Sequence, residues 1–159
     1  MTGTLFDDFV AKVATKSSDE YYTPKWIFDA IGLDFDLDVC SPQEGPLHTP
    51  AARWYSAADD GLVQPWFGRV WMNPPYSNPT PWIDRWLDHG NGICLVPLNK
   101  SMWSKNLWAA DTLVMQTPPQ MRFVTGDGKE ASIVWATFIW AIGDECKEAL
   151  RNSGISKCR

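Results

Sequence analysis

Residues 92–98, Gly-Ile-Cys-Leu-Val-Pro-Leu, form a nearly continuous apolar run. The run is far shorter than the ~18 apolar residues a membrane span needs. A strand with no polar alternation is covered on both faces, which requires a layer on each side of its sheet. The segments around it supply those layers. Thr23-Pro24 opens a helix over about 24–31, in which Trp26, Ile27, Ala30 and Ile31 share a face and Gly32 is the stop. Phe35–Val39 alternates as a strand does and ends in a Cys40-Ser41-Pro42 turn. Residues 42–69 are the least regular part, holding a short Ala-Arg-Trp-Tyr run. Then come a strand at Gly68–Asn73, a helix at Pro79–Gly90 with Trp82, Ile83, Trp86 and Leu87 on one face, and the apolar strand. A short helix over residues 101–110, a strand at Thr112–Gln116 and a long final strand over 133–143 follow. This order predicts an α/β fold: a mostly parallel sheet wrapped by helices, with an antiparallel final strand. Residues 1–18 read as an N-terminal arm, 19–145 as the single domain and 146–159 as a polar C-terminal tail.

Parallel sheets of this kind bind ligands outside the carboxyl ends of their strands. Two polar turns fall at such ends, Asp38-Val39-Cys40-Ser41 and Asn73-Pro74-Pro75-Tyr76. Proline fixes φ and removes the backbone N–H, so the second turn offers carbonyl acceptors with no competing donors at its two prolines. With the Asn73 side-chain oxygen, the Pro74 carbonyl can accept both hydrogens of an exocyclic amine such as N6 of adenine. Such an amine is a poor nucleophile because its lone pair is delocalised into the ring. Two acceptors draw it toward tetrahedral geometry and free the lone pair for attack on an electrophilic methyl. Tyr76 adds a flat ring for an extruded base. The plain alternative is a rigid turn.

The segments EYYTPKWIFD, FDLDVCSP, DDGLVQPW, VWMNPPYSNPTPW and GICLVPLNKSMW, spread over residues 19 to about 125, resemble those of small phage and prophage DNA N6-adenine methyltransferases. That family belongs to the S-adenosylmethionine-dependent amino-methyltransferases. The resemblance implies a Rossmann-like methyltransferase sheet. It also implies that Tyr22, Thr23 and Pro24 face the methionine part of the cofactor, that Asp38, Cys40 and Ser41 form the first cofactor loop, and that Asn73, Pro74, Pro75 and Tyr76 hold the adenine. That first loop is glycine-poor, with only Gly45 nearby. Asp59 or Asp60 would reach the ribose, an ordinary Asp-Asp-Gly turn being the alternative. For Asp38 the alternative is a buried turn cap. By the same resemblance Phe123 would stack on the base opposite Tyr76, unless it is core beneath a hairpin. Little chain remains for a separate recognition domain, so loops at 77–81, 99–108 and 117–131, which hold Lys100, Lys105, Arg122 and Lys129, would contact DNA, with Lys100, Trp103 and Arg122 as candidate contacts and a solvated face as the alternative for each lysine.

The net charge of −5 speaks against a strongly electrostatic nucleic-acid binder, and local positive charge on those loops would have to offset it. No signal-like or membrane-length apolar block is present, so the chain reads as a protein of the cytoplasm of a bacterial host. Four scattered cysteines with no Cys-x-x-Cys and two histidines make no metal site. The expected partners are DNA and S-adenosylmethionine, with no membrane. The same tetrapeptide serves methylation of RNA or of a protein glutamine, and an inactive accessory subunit is the non-enzymatic alternative.

Overall fold

The computed structural model describes residues 21–97, 102–131 and 136–156. In chain order the elements are α1 (Lys25–Ile31), β1 (Phe35–Asp38), β2 (Ala51–Trp54), β3 (Val70–Met72), α2 (Thr80–His89), β4 (Gly92–Pro97), α3 (Met102–Ala109), β5 (Thr112–Gln116), β6 (Phe123–Val124), β7 (Glu130–Ala131), β8 (Thr137–Ile142) and α4 (Asp144–Asn152). The main sheet runs β2-β1-β3-β4-β8-β5, and β6-β7 form a separate hairpin. Neighbours from β2 to β4 pair in parallel, while β8 is antiparallel to both β4 and β5. The fold is thus α/β with a mostly parallel mixed sheet, as the element order predicts.

The apolar run becomes β4, with all six residues buried. Its side chains alternate between the two cores, as a pleated strand requires. Ile93 and Leu95 join Ile27, Phe28, Ile31 and Trp71 on one face, where the buried Cys146 and Leu150 of α4 also lie. Cys94 and Val96 join Val70, Met72, Ile83, Trp86 and Leu107 on the other. Helices α1 and α4 therefore cover one face, α2 and α3 the other.

Helix ends follow local rules. The left-handed Gly32 (φ 69°) and Gly90 (φ 74°) close α1 and α2, their N–H groups donating to Phe28 and Trp86 carbonyls. In α1, Phe28 is buried and Trp26 is 41% exposed, so the apolar face lies one residue away from where periodicity puts it.

Two elements, β2 and α4, were not expected. The Ala-Arg-Trp run is strand β2, paired in register with β1 (Phe35 with Ala51, Leu37 with Arg53). It is an edge strand, largely exposed, and so lacks the apolar alternation that marks a strand. Residues read as a polar tail form α4 as far as Asn152, anchored by Cys146 and Leu150 one helical turn apart. The β6-β7 hairpin is too short to leave a pattern. The arm at 1–18 lies outside the described residues, as do 133–135 of the expected long final strand. Among the described residues no helix is long and apolar enough to cross a membrane.

β1 has β2 on one side and β3 on the other. The segments leaving the carboxyl ends of β1 and β3 therefore flank a crevice at the point where strand order reverses.

Candidate active site

That crevice holds a cavity of about 330 Å3, lined by Val39, Cys40, Ser41, Asp60, Asn73 and Trp82 among others. Both strand-end turns reach it. Ser41 is buried, its N–H donating to the Tyr55 carbonyl at 2.8 Å and its hydroxyl to the Pro42 carbonyl at 3.0 Å, which ties the first turn to the end of β2. Asp38 sits beneath this turn. It is 3% exposed, and its Oδ1 accepts the Cys40 N–H at 3.1 Å.

Burial pushes the Asp38 carboxyl up to about 7, well above the usual carboxylate range, with the Cys40 N–H and the Thr49 side chain opposing the rise. A raised carboxyl is favoured in its protonated form by the fold. Its contribution to stability is complete below about pH 4 and is lost as pH rises through about 7. Asp38→Asn should flatten that loss. Melting temperatures measured between about pH 5 and pH 8 should fall for the wild type by more than for the variant; parallel curves would show that the buried carboxyl carries no such cost.

Asn73 directly follows β3. Its Nδ2 donates to the Tyr21 carbonyl at 3.0 Å. Only the NH2 end of an amide can do this, so Oδ1 is left as an acceptor on the other side. The Pro75 carbonyl accepts the Asn78 N–H at 3.3 Å. Pro74 is buried, and Pro75 and Tyr76 are half-buried. The Tyr76 hydroxyl oxygen is buried without a hydrogen-bond partner among the described residues, and its pKa is raised by burial first and by the nearby Cys94 second.

Thr23 is 5% exposed and its hydroxyl likewise has no partner among the described residues. Pro24 caps α1 from an extended conformation (φ −68°, ψ 150°). Tyr22 pairs through its backbone with Val124. The two acids separate by role. Asp59 is exposed and caps its own turn, accepting the Ser56 N–H at 2.9 Å and the Ser56 hydroxyl at 3.1 Å. Asp60, held at φ 56° with Oδ1 accepting the Leu62 N–H, lines the cavity.

A residue that sequence reasoning missed holds this wall. The Arg85 guanidinium of α2 donates to the Gly61 carbonyl at 3.0 Å and to the Leu62 and Gln64 carbonyls, and it lies 4.7 Å from the centre of the Trp66 ring. Trp66 Nε1 donates to the same Gly61 carbonyl at 2.8 Å. The partners lie 19 to 24 positions away in sequence, so only an arginine set amid the apolar positions of α2 hints at them.

The residues expected to touch the base and DNA are not all gathered here. Phe123 is 1% exposed and belongs to the core with Ile27 and Met121, meeting the Tyr21 ring edge-on at 6.1 Å. It has no open ring face in this structure, because the hairpin folds it onto the sheet. Arg122 is exposed. Lys100 lies outside the described residues; Trp103 is within α3, but its side chain is outside them.

The family model for DNA N-6-adenine-methyltransferase (Dam) matches residues 11–138. A DNA N-6-adenine-methyltransferase of Haemophilus phage HP1 (strain HP1c1) is 36% identical over 83 residues, covering 48% of this chain and 46% of the phage protein. The match thus spans about half the length of that relative. No solved structure matches the chain. With the family model spanning most of the sequence, including both strand-end turns, the chain belongs to the DNA N-6-adenine-methyltransferase (Dam) family.

Proposed function

We propose that the protein transfers a methyl group from S-adenosylmethionine to N6 of an adenine flipped out of DNA, on a Rossmann-like methyltransferase sheet, in the cytoplasm of a bacterial host. The observation that carries the reading is the orientation of Asn73. With Nδ2 occupied by the Tyr21 carbonyl, Oδ1 and the neighbouring Pro74 carbonyl are acceptors with no competing donor from the prolines.

The cavity suits the cofactor in size and lining. Its volume falls in the range of small-molecule sites, about 300–1,000 Å3. Val39 and Trp82 give it apolar surface, and Ser41 and Asp60 give it polar groups. S-adenosylmethionine supplies an electrophilic methyl on a positively charged sulfur. Asn73 and Pro74 hold both hydrogens of the amine, bend the nitrogen toward tetrahedral geometry and direct its lone pair to the methyl carbon. As the N–C bond forms, the bond from carbon to sulfur breaks and sulfur keeps the pair. The nitrogen then carries the charge and loses a proton to water, so no strong base is needed from the protein.

Tyr76 stacks on the base in this reading. Among the described residues its hydroxyl has no hydrogen-bond partner, so Tyr76→Phe should keep most of the activity. Tyr76→Ala removes one stacking surface, worth ~1–3 kcal/mol per base, and should weaken methylation by about 5- to 150-fold. Steady-state rates on duplex DNA check both; a dead Tyr76→Phe variant would assign the hydroxyl a role that this chemistry does not contain.

Mass spectrometry of nucleosides from host DNA, with and without expression of the protein, tests the function directly. N6-methyladenine should appear only with expression. Its absence, with methylation found in RNA or on a protein glutamine instead, would replace this reading.

A further inference from the structure

The contacts of Asn73 extend beyond the turn that carries it. Its amide donates to a carbonyl 52 positions away, at Tyr21. Tyr21 belongs to an extended segment joined to the β6-β7 hairpin by a reciprocal pair of hydrogen bonds, Tyr22 N–H to the Val124 carbonyl at 2.8 Å and Val124 N–H to the Tyr22 carbonyl at 2.9 Å. The Tyr21 ring packs edge-on against Phe123, which is buried in the core. The hairpin is closed beyond this point by Thr125 N–H on the Lys129 carbonyl at 2.9 Å. A continuous set of contacts therefore runs from Phe123 and Val124 to the Tyr21 carbonyl and on to the Asn73 amide.

Resting on the proposed role of Asn73 as amine acceptor, we propose that the β6-β7 hairpin sets the rotamer of the Asn73 amide through the Tyr21 carbonyl, with Phe123 as its positioning residue. The physical reason lies in the near-symmetry of an amide. A half-turn about its terminal bond exchanges an acceptor oxygen for a donor NH2, with little change in shape. A donor facing the amine would repel its hydrogens. Within the turn, the two prolines offer no N–H to hold Oδ1. The Tyr21 carbonyl chooses, since it accepts only from NH2. Phe123 fixes where that carbonyl stands. This gives the buried aromatic ring an influence on the reaction without contact with the base.

Phe123→Leu keeps an apolar side chain in the core and removes the ring that Tyr21 leans on. Below the melting temperature of the variant, kcat should fall roughly 2- to 10-fold, the equilibrium equivalent of one net hydrogen bond. KM for DNA and calorimetric affinity for S-adenosylmethionine should stay as in the wild type. The direct readout is the pair of Asn73 side-chain amide signals in a nitrogen-proton correlation spectrum, assigned by their loss in Asn73→Asp. In the wild type without ligands they should be displaced from the positions of a free asparagine, and in Phe123→Leu they should move toward them. Wild-type signals at free positions would overturn the proposal whether or not the variant folds. So would a variant in which kcat drops while the amide signals stay put, or one that folds and keeps full kcat. A mismatched target base, easier to extrude, distinguishes the rival role: stacking by Phe123 predicts a smaller loss there, positioning an equal loss on both substrates. Should the wild type methylate no DNA, the proposed function fails, while the amide signals still decide whether the hairpin holds Asn73.

Discussion

Asn73→Ala should abolish methyl transfer while changing cofactor affinity by less than ~1 kcal/mol. The substitution removes the oxygen that accepts one hydrogen of the amine, an interaction strongest as the nitrogen becomes tetrahedral, so the loss appears in kcat. Removing a single well-placed polar group of this kind typically costs about 100- to 1,000-fold, and here the other acceptor, a backbone carbonyl, has no second partner with which to hold the amine. Asn73 lines the cavity, but its Nδ2 is committed to Tyr21, so the cofactor loses a neighbour and no designated donor. Stability should fall only by the ~1 kcal/mol of one hydrogen bond. Single-turnover rates and calorimetry on the same preparation check the division; a variant that still methylates at the wild-type rate refutes the two-acceptor chemistry.

Gly61→Ala should act in the opposite sense, on binding and stability together. A Cβ at this position would stand 2.3 Å from the Val39 carbonyl and 3.1 Å from the Trp82 ring, both at the cavity. The backbone carbonyl belongs to the residue that follows β1, and the loop itself is fixed from outside by Arg85 and Trp66. Neither side can give way without moving the cavity wall. Overpacking of this sort costs typically ~1–3 kcal/mol. The loss should be visible in the melting temperature and as a 5- to 150-fold weaker calorimetric affinity for S-adenosylmethionine, which is roughly the same energy expressed as binding. Unchanged affinity in a folded variant would mean that the cofactor does not use this wall.

What could be read from the chain depended on how local each cause is. The strands that feed the site announced themselves, because β4 is buried on both faces and β1 and β3 end in turns of unusual composition. Helix α2 was legible through Trp82, Ile83, Trp86 and Leu87, of which Ile83 and Trp86 are fully buried and the other two pack beside them. β2 was not, since an exposed edge strand is held by backbone bonds that leave no trace in side-chain pattern. Helix α4 has only two fully buried positions among charged ones, too few for periodicity to speak. Within the site, positions at strand ends were legible, while the orientation of Asn73 and the grip of Arg85 depend on partners about 20 to 50 residues away. Phe123 illustrates the limit: its place beside a turn suggested an accessible ring, and the short hairpin folds that ring inward.

The position of β8 bears on how such a sheet can be assembled at all. The strand enters between β4 and β5, pairing with both, although its residues 137–142 come after the two strands it separates. During synthesis, β4 and β5 are therefore complete while the space between them is still vacant, each presenting an edge of unpaired backbone N–H and C=O groups. Such edges pair readily with other chains. At about 5–20 residues per second, the 26 positions separating the end of β5 from the end of β8 impose a delay of roughly one to five seconds at the ribosome before the sheet can close.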